Sequence, residues 1–279
     1  MTEPGGLDGT QNPRSFWHSE MKRLREKAGW LQDELSRQMC VSEDYVSRLE
    51  RGVRPPTREL SIRLDLAFET DGHFVRLFEL AEKSSGLMPS FFAWVAEMEQ
   101  QAQRIEEYNP SMWPGLIQCP AYAKLVFKSV WPYHSEAAIQ ELVDQRVDRA
   151  RLLAPGSGPE VWLIVEEVML DADLGPGVAA AQLRHVLGLM ESRKIVLQLV
   201  PRRIGMHALK VGQLRIMTME DGAQIAYTEG PHSGSVMDTP AELAKCRRSY
   251  DLARACALPH EQSLARIGAA LEEHEQHDQ

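Results

Sequence analysis

Between residues 15 and 83, apolar positions recur every three or four residues in five short runs. That period predicts amphipathic helices, and the polar residues between the runs supply their starts and stops. Phe16 and Leu24 mark the stripe of the first helix. Leu31–Met39 and Ser42–Arg51 form the second and third, separated by a tight turn. Thr57 can cap a fourth, with Leu60, Leu64 and Ala67 on one face. Asp71 can cap a fifth, whose core face is Phe74, Leu77, Phe78 and Ala81. Ser84-Ser85-Gly86 then suits a hinge, and residues 1–14 read as a disordered lead with none of the features of a signal peptide.

From Ser90 a longer helical pattern runs to about Glu107, with Phe91, Val95, Met98, Ala102 and Ile105 on its face. Tyr108-Asn109-Pro110 ends it. Residues 121–130 and 135–153 read as two more helices. In the second, Ile139, Leu142, Val143, Val147 and Ala150 are expected inward, and Arg146, Asp148, Arg149 and Arg151 outward. After residue 158 the period changes. Val161–Val165, Ile195–Val200, Leu214–Met219 and Ala223–Tyr227 are short runs that predict strands, with a helix over Val178–Glu191 between the first two. Glu220-Asp221-Gly222 is a hairpin signal. Pro240–Ala257 and Gln262–Glu273 close the chain as helices. The expected architecture is a mainly α, five-helix domain over 15–83, followed by an α+β domain over 84–279 with a small, largely antiparallel sheet.

Charge sharpens this division. The net charge of −9 is unpromising for a nucleic-acid partner. Yet residues 14–63 hold 11 Lys/Arg against 8 Asp/Glu, leaving 20 against 32 elsewhere. A basic module on an acidic body can still bind phosphate locally, because salt screens charge beyond about 8 Å. No apolar run approaches the roughly 20 residues of a membrane span. The four cysteines are far apart and form no CxxC pair, which predicts reduced thiols in a cytoplasmic protein.

The second and third helices carry the candidate chemistry. Two short helices at a tight turn let one brace on a DNA backbone while the next enters the major groove. Ser42 is a good N-cap for the second of the pair. The residues after it, Glu43, Asp44, Tyr45, Ser47 and Arg48, are the expected base contacts, since carboxylates accept from cytosine N4 and arginine suits guanine. Gln32, Arg51, Arg54 and Arg58 are the expected phosphate contacts. Sequence-specific reading of double-stranded DNA as a homodimer follows, because one such module offers little affinity and half-sites pair one helical turn apart.

Leu24, Arg25, Gly29, Gln32, Leu35, Val41, Ser42, Val46, Ser47, Leu49, Glu50 and Gly52 resemble the phage-repressor type helix-turn-helix, the XRE family. The resemblance implies an internal ion pair between Arg25 and Glu50. Two positions depart from the family. Leu31 stands where a Thr or Ser cap is usual, and Cys40 where the turn usually has Gly.

The segments Ile105–Gln118, Ala121–Val126, Leu142–Leu152, Val161–Glu167, Val196–Pro201, Gly205–Ala208 and Tyr227–Gly230 resemble the C-terminal domain of actinobacterial antitoxin-like regulators of the Scr type. Pro-Gly-Leu-Ile-Gln at 114–118 and Tyr-Thr-Glu-Gly at 227–230 are its more specific elements. Trp113 replaces a usually smaller residue. The resemblance implies a transcription factor, often encoded beside a small partner protein, and no catalytic activity. The main alternative is an antitoxin-like protein that sequesters that partner and autoregulates. A weaker one is a small-ligand sensor, for which Trp113, Leu116, Ile117, Tyr122 and Trp131 are the candidate pocket or partner groove. His207, His232, Glu166, Glu167 and Glu229 have no metal-ligand spacing and read as polar ends of strands and loops. No cofactor, metal or enzymatic motif is expected.

Overall fold

The computed structural model describes residues 13–84, 90–154, 158–175, 177–230 and 234–277. The expected lead at 1–14 falls mostly outside these residues, as do most of the hinge at 84–86 and His232. The chain divides into two compact units, residues 1–95 and 96–279.

The first unit holds five helices up to Ser84: α1 (Pro13–Lys27), α2 (Gln32–Met39), α3 (Glu43–Glu50), α4 (Arg58–Ala67) and α5 (His73–Ser84). Trp17, Met21, Leu35, Met39, Val46, Leu49, Leu64 and Phe74 are fully buried together. Trp17 is the largest of them, and its indole N–H donates to the Ser61 hydroxyl at 3.0 Å. A buried indole needs such a partner. Thr57 caps α4 by accepting from the Leu60 N–H at 3.2 Å. Asp71 does not cap α5. Asp65 does so from α4, accepting from the N–H groups of Phe74 and Val75 at 2.9 and 3.0 Å. This satisfies two orphan donors and ties the helices together. The sequence expectation failed there because the cap is tertiary rather than local.

The second unit corrects the expected small antiparallel sheet. It contains a six-stranded mixed sheet in the order β3-β2-β1-β4-β5-β6. The strands are β1 (Ala102–Asn109), β2 (Glu160–Glu166), β3 (Val196–Val200), β4 (Leu214–Met219), β5 (Gln224–Glu229) and β6 (Gly234–Met237). β1, β2 and β3 pair in parallel, and β4 runs antiparallel to β1 and to β5. Parallel pairs need long crossovers. These are α7 (Pro120–Val130) with α8 (Glu136–Arg149), and α9 (Val178–Glu191). α10 (Pro240–Cys256) and α11 (His260–His277) follow the sheet.

The helix from Ser90, α6, stops at Gln101, and β1 takes over where helix was expected. β1 is a central strand, and from Ile105 onward its side chains are buried on both faces. Glu106 and Glu107 gave it the look of a solvated helix. Both are buried and matched from far along the chain. Arg247 of α10 donates to the two Glu106 oxygens at 2.8 and 2.6 Å. Arg215 of β4 donates to Glu107 at 3.0 and 2.6 Å. Alternation puts Tyr108 and Ile216 on the face that packs with Tyr250 of α10. Glu107, Arg215 and Tyr227 line up across the other face.

Candidate nucleic-acid interface

The geometry of the α2–turn–α3 segment begins with its turn. Cys40 has φ 54° and ψ 45°, the left-handed conformation. That shape suits Gly, so a Cβ there carries a strain of roughly 1 kcal/mol. The chain then returns as Ser42, whose hydroxyl accepts from the Tyr45 N–H at 3.1 Å and starts α3. Arg63 reinforces the turn by donating from Nη1 to the Met39 carbonyl at 2.8 Å. Nothing in the local pattern marked Arg63, because its partner is 24 residues away.

α2 lacks a side-chain cap at Leu31, which is exposed. Glu34 compensates in part by accepting the Leu31 N–H at 2.7 Å. This is half of a capping box.

The base of the pair is locked by a closed polar network. Glu50 accepts from Arg25 Nε at 2.5 Å and Nη2 at 3.0 Å. Gln32 Nε2 donates to the same carboxylate at 2.7 Å. Arg25 Nη1 donates to the Trp30 carbonyl at 2.8 Å. The amide of Gln32 is thereby directed inward, and the side chain proposed for phosphate is engaged in the scaffold. The backbone N–H groups at the start of α2 still suit a phosphate.

Glu43 and Asp44 are exposed in the first turn of α3, and Tyr45 and Ser47 are half-buried. Arg48 is placed differently. It is 8% exposed and pairs with Asp44 one turn earlier. It is not presented beside Glu43 and Asp44. Arg51 and Arg58 are exposed and Arg54 is half-buried, with its guanidinium 4.7 Å from the centre of the Tyr45 ring.

Behind α3 lies His18, a residue the sequence reading did not single out. It is buried, and neither ring nitrogen has a partner in hydrogen-bonding geometry. Burial lowers its pKa to about 4; the backbone of Leu49 opposes that shift, and nearby Arg14 adds to it.

In the second unit, Trp113, Leu116, Ile117 and Tyr122 are core residues, at most 6% exposed, rather than the lining of a groove. Trp131 is half-buried and stacks between Phe127 and His134. Glu166 and His207 do come together. Glu166 accepts from Tyr108 Oη at 2.7 Å and Lys210 Nζ at 2.6 Å, and lies 2.8 Å from His207 Nε2. Burial opposes ionisation of Glu166, but its partners outweigh that and hold it below the usual carboxylate range. The cluster ties residues 207–210 to the end of β2. Glu167 accepts from Arg266 Nε at 2.6 Å.

Arg146 and Arg149 were expected outward and turn inward, while Val147 is exposed. Arg149 lies 3.1 Å from the fully buried Glu99. Arg146 donates to Gln118 at 2.6 Å. Buried carboxylates on other elements pull the arginines in, an influence that helical periodicity does not contain. Among the described residues, no group of His, Cys, Asp or Glu could hold a metal ion, and no helix is long and apolar enough to cross a membrane.

Residues 21–73 match the helix-turn-helix family HTH_3, which identifies a DNA-binding regulator. No curated protein and no solved structure matches the chain. Residues 92–269, well over half of the chain, match the family described as "Domain of unknown function (DUF5753)", and the chain therefore belongs to that family.

Proposed function

We propose that this protein is a sequence-specific transcriptional regulator that reads the major groove with the first turns of α3. The observation that carries this reading is the α2–turn–α3 pair itself, held by Cys40, Ser42 and the Arg25–Glu50–Gln32 network, with Glu43 and Asp44 exposed at its leading end. Glu43, Asp44, Tyr45 and Ser47 contact bases. Arg48 holds Asp44 in position and reaches a base only by exchanging that partner. Arg51, Arg54 and Arg58 contact phosphate, while Gln32 supports the scaffold. The protein acts as a homodimer on paired half-sites. Residues 84–279 form the unit through which a partner or a signal acts.

Selection of bound sequences from a random DNA pool tests this reading. Enrichment of one motif is expected, and Tyr45→Ala or Ser47→Ala should relax it at individual positions. A pool that stays random at fixed, moderate salt would reject the reading.

A second reading, sequestration of a small partner protein encoded nearby, draws on one observation. Met206 and Val211 are 74% and 90% exposed in the segment that His207 and Lys210 anchor to Glu166. Co-purification of the neighbouring gene product, lost on Met206→Asp with Val211→Asp, would favour it. Retention of the partner by that double variant would remove its support.

A further inference from the structure

The inner face of the second unit holds three arginines and three glutamates, and their pairing is incomplete. Arg215 donates to Glu107 and, through Nη1, to Glu99 at 2.6 Å. Arg149 Nε sits at ion-pair distance from Glu99, without hydrogen-bond alignment. Two guanidinium groups thus use two carboxylates. Arg146 is left with neutral partners, Gln118 and the face of the Phe127 ring at 4.6 Å. Its Nε is buried and has no acceptor. Burial first and then Arg149 lower the Arg146 pKa, against the opposing Glu229 and Glu99, to about 9.

The two cations converge. Arg149 Nη2 and Arg146 Nη1 lie 2.5 and 3.2 Å from the point where a Cβ on Gly115 would sit. A Cβ there would push the two guanidinium ends aside. Glu229, at the end of β5, lies within electrostatic reach of both arginines, is mostly but not fully buried, and has no hydrogen bond or ion pair among the described residues. The third cation and the third anion therefore face the same region without pairing with each other. Buried charges are ordinarily paired, so both call for a partner that the described residues do not supply.

We propose that Arg146, Arg149 and Glu229 form a binding site for a small molecule carrying an oxyanion at one end and an amine at the other. A carboxylate or phosphate is the acceptor that two converging guanidinium groups match. The amine supplies the donor that no described residue gives Glu229. A ligand pairing a carboxylate with an ammonium closes the network without changing its net charge. Arg146 and Glu229 are mostly but not fully buried, which leaves an approach from solvent. The regulatory role of the site rests on reading residues 84–279 as the signal-responsive unit; the site itself does not.

The test uses the full chain, free of DNA, with four probes: acetate, glycine, inorganic phosphate and phosphoethanolamine. Thermal shift and calorimetry should show that the two amine-bearing probes bind about tenfold more tightly than their parent oxyanions, the effect of one added charge-assisted hydrogen bond. Glu229→Gln should remove that advantage and leave oxyanion binding. Arg146→Met should abolish the response to all four while the unliganded protein melts no lower than wild type. No response from the wild type, or a response retained by Arg146→Met, would overturn the site. A lowered melting temperature of unliganded Arg146→Met would also count against it, since it would make Arg146 a structural residue. Binding that leaves operator affinity unchanged would support the site and reject the signal-responsive reading. Absent binding with intact operator recognition would reject the site alone.

Discussion

The two units each bury an arginine network, and the two networks differ in completeness. In the first, Arg25 and Glu50 satisfy each other, Gln32 fills a remaining lone pair, and the Trp30 carbonyl takes another guanidinium N–H. In the second, Arg215 is fully engaged by Glu107 and Glu99, but Arg146 and Glu229, which feel each other's charge, form no ion pair among the described residues. A buried ion pair stabilises only when both partners and their spare hydrogen-bonding positions are satisfied. The closed network therefore reads as scaffold, and the open one as a place prepared for something else.

That contrast is easiest to break by removing one member from each side. Glu50→Ala takes from the buried Arg25 its bidentate partner, leaving the Trp30 carbonyl and the more exposed Glu26 at 3.7 Å; breaking one side of a buried pair typically costs about 3–5 kcal/mol. Hydrogen exchange over residues 13–84 should show global loss of protection there. Arg146→Met should show no comparable loss in the second unit. Equal losses in the two variants would erase the distinction.

A somewhat smaller effect comes from His18. Its folded pKa, about 4, lies below the ordinary histidine value of 6.5. The unfolded chain therefore binds more protons between those values, and stability must fall as pH drops from 6.5 towards 4. The full span corresponds to about 3 kcal/mol. Urea titrations across that range should show the decline, and His18→Leu should remove its upper part, between about pH 6.5 and 5, where the depressed carboxylates do not yet titrate.

Smaller still is the turn. Cys40→Gly relieves a left-handed non-glycine residue and should stabilise the first unit by about 1 kcal/mol. Leu31→Ser adds a cap where the backbone already has φ −74° and ψ 164°, and should add about 0.5–1 kcal/mol. Both gains should appear as higher urea midpoints with unchanged slopes. A null result for Leu31→Ser would mean that Glu34 already does the work of the cap.

The first unit was largely legible in the sequence because its signals are local. Ser42 and Thr57 cap the helices that follow them, and the buried stripe of Leu35, Met39, Val46 and Leu49 repeats at helical spacing. The second unit was legible where strands are apolar, as in β2 to β5. It was not where burial depends on distant charge. β1 was read as helix because Glu106 and Glu107 look solvated until Arg247 and Arg215 are brought to them. The rotation of α8 was misjudged for the same reason, with Arg146 and Arg149 drawn inward and Val147 left out. At the candidate DNA face, the exposed turn of α3 followed from its cap. The inward placement of Gln32 did not, since its partner Glu50 is 18 residues away; Arg48 pairs with Asp44 at ordinary i,i+4 spacing, and its burial is what the spacing did not show.

The central claim is that α3 reads DNA sequence through its leading turn. Its most direct test is selection from a random DNA pool at one stated salt concentration, comparing wild type with Tyr45→Ala and Ser47→Ala, because phosphate contacts alone give salt-dependent but sequence-blind binding. One enriched motif, relaxed at defined positions by each variant, is the predicted result. Identical motifs from all three proteins, or no motif from any, would contradict it.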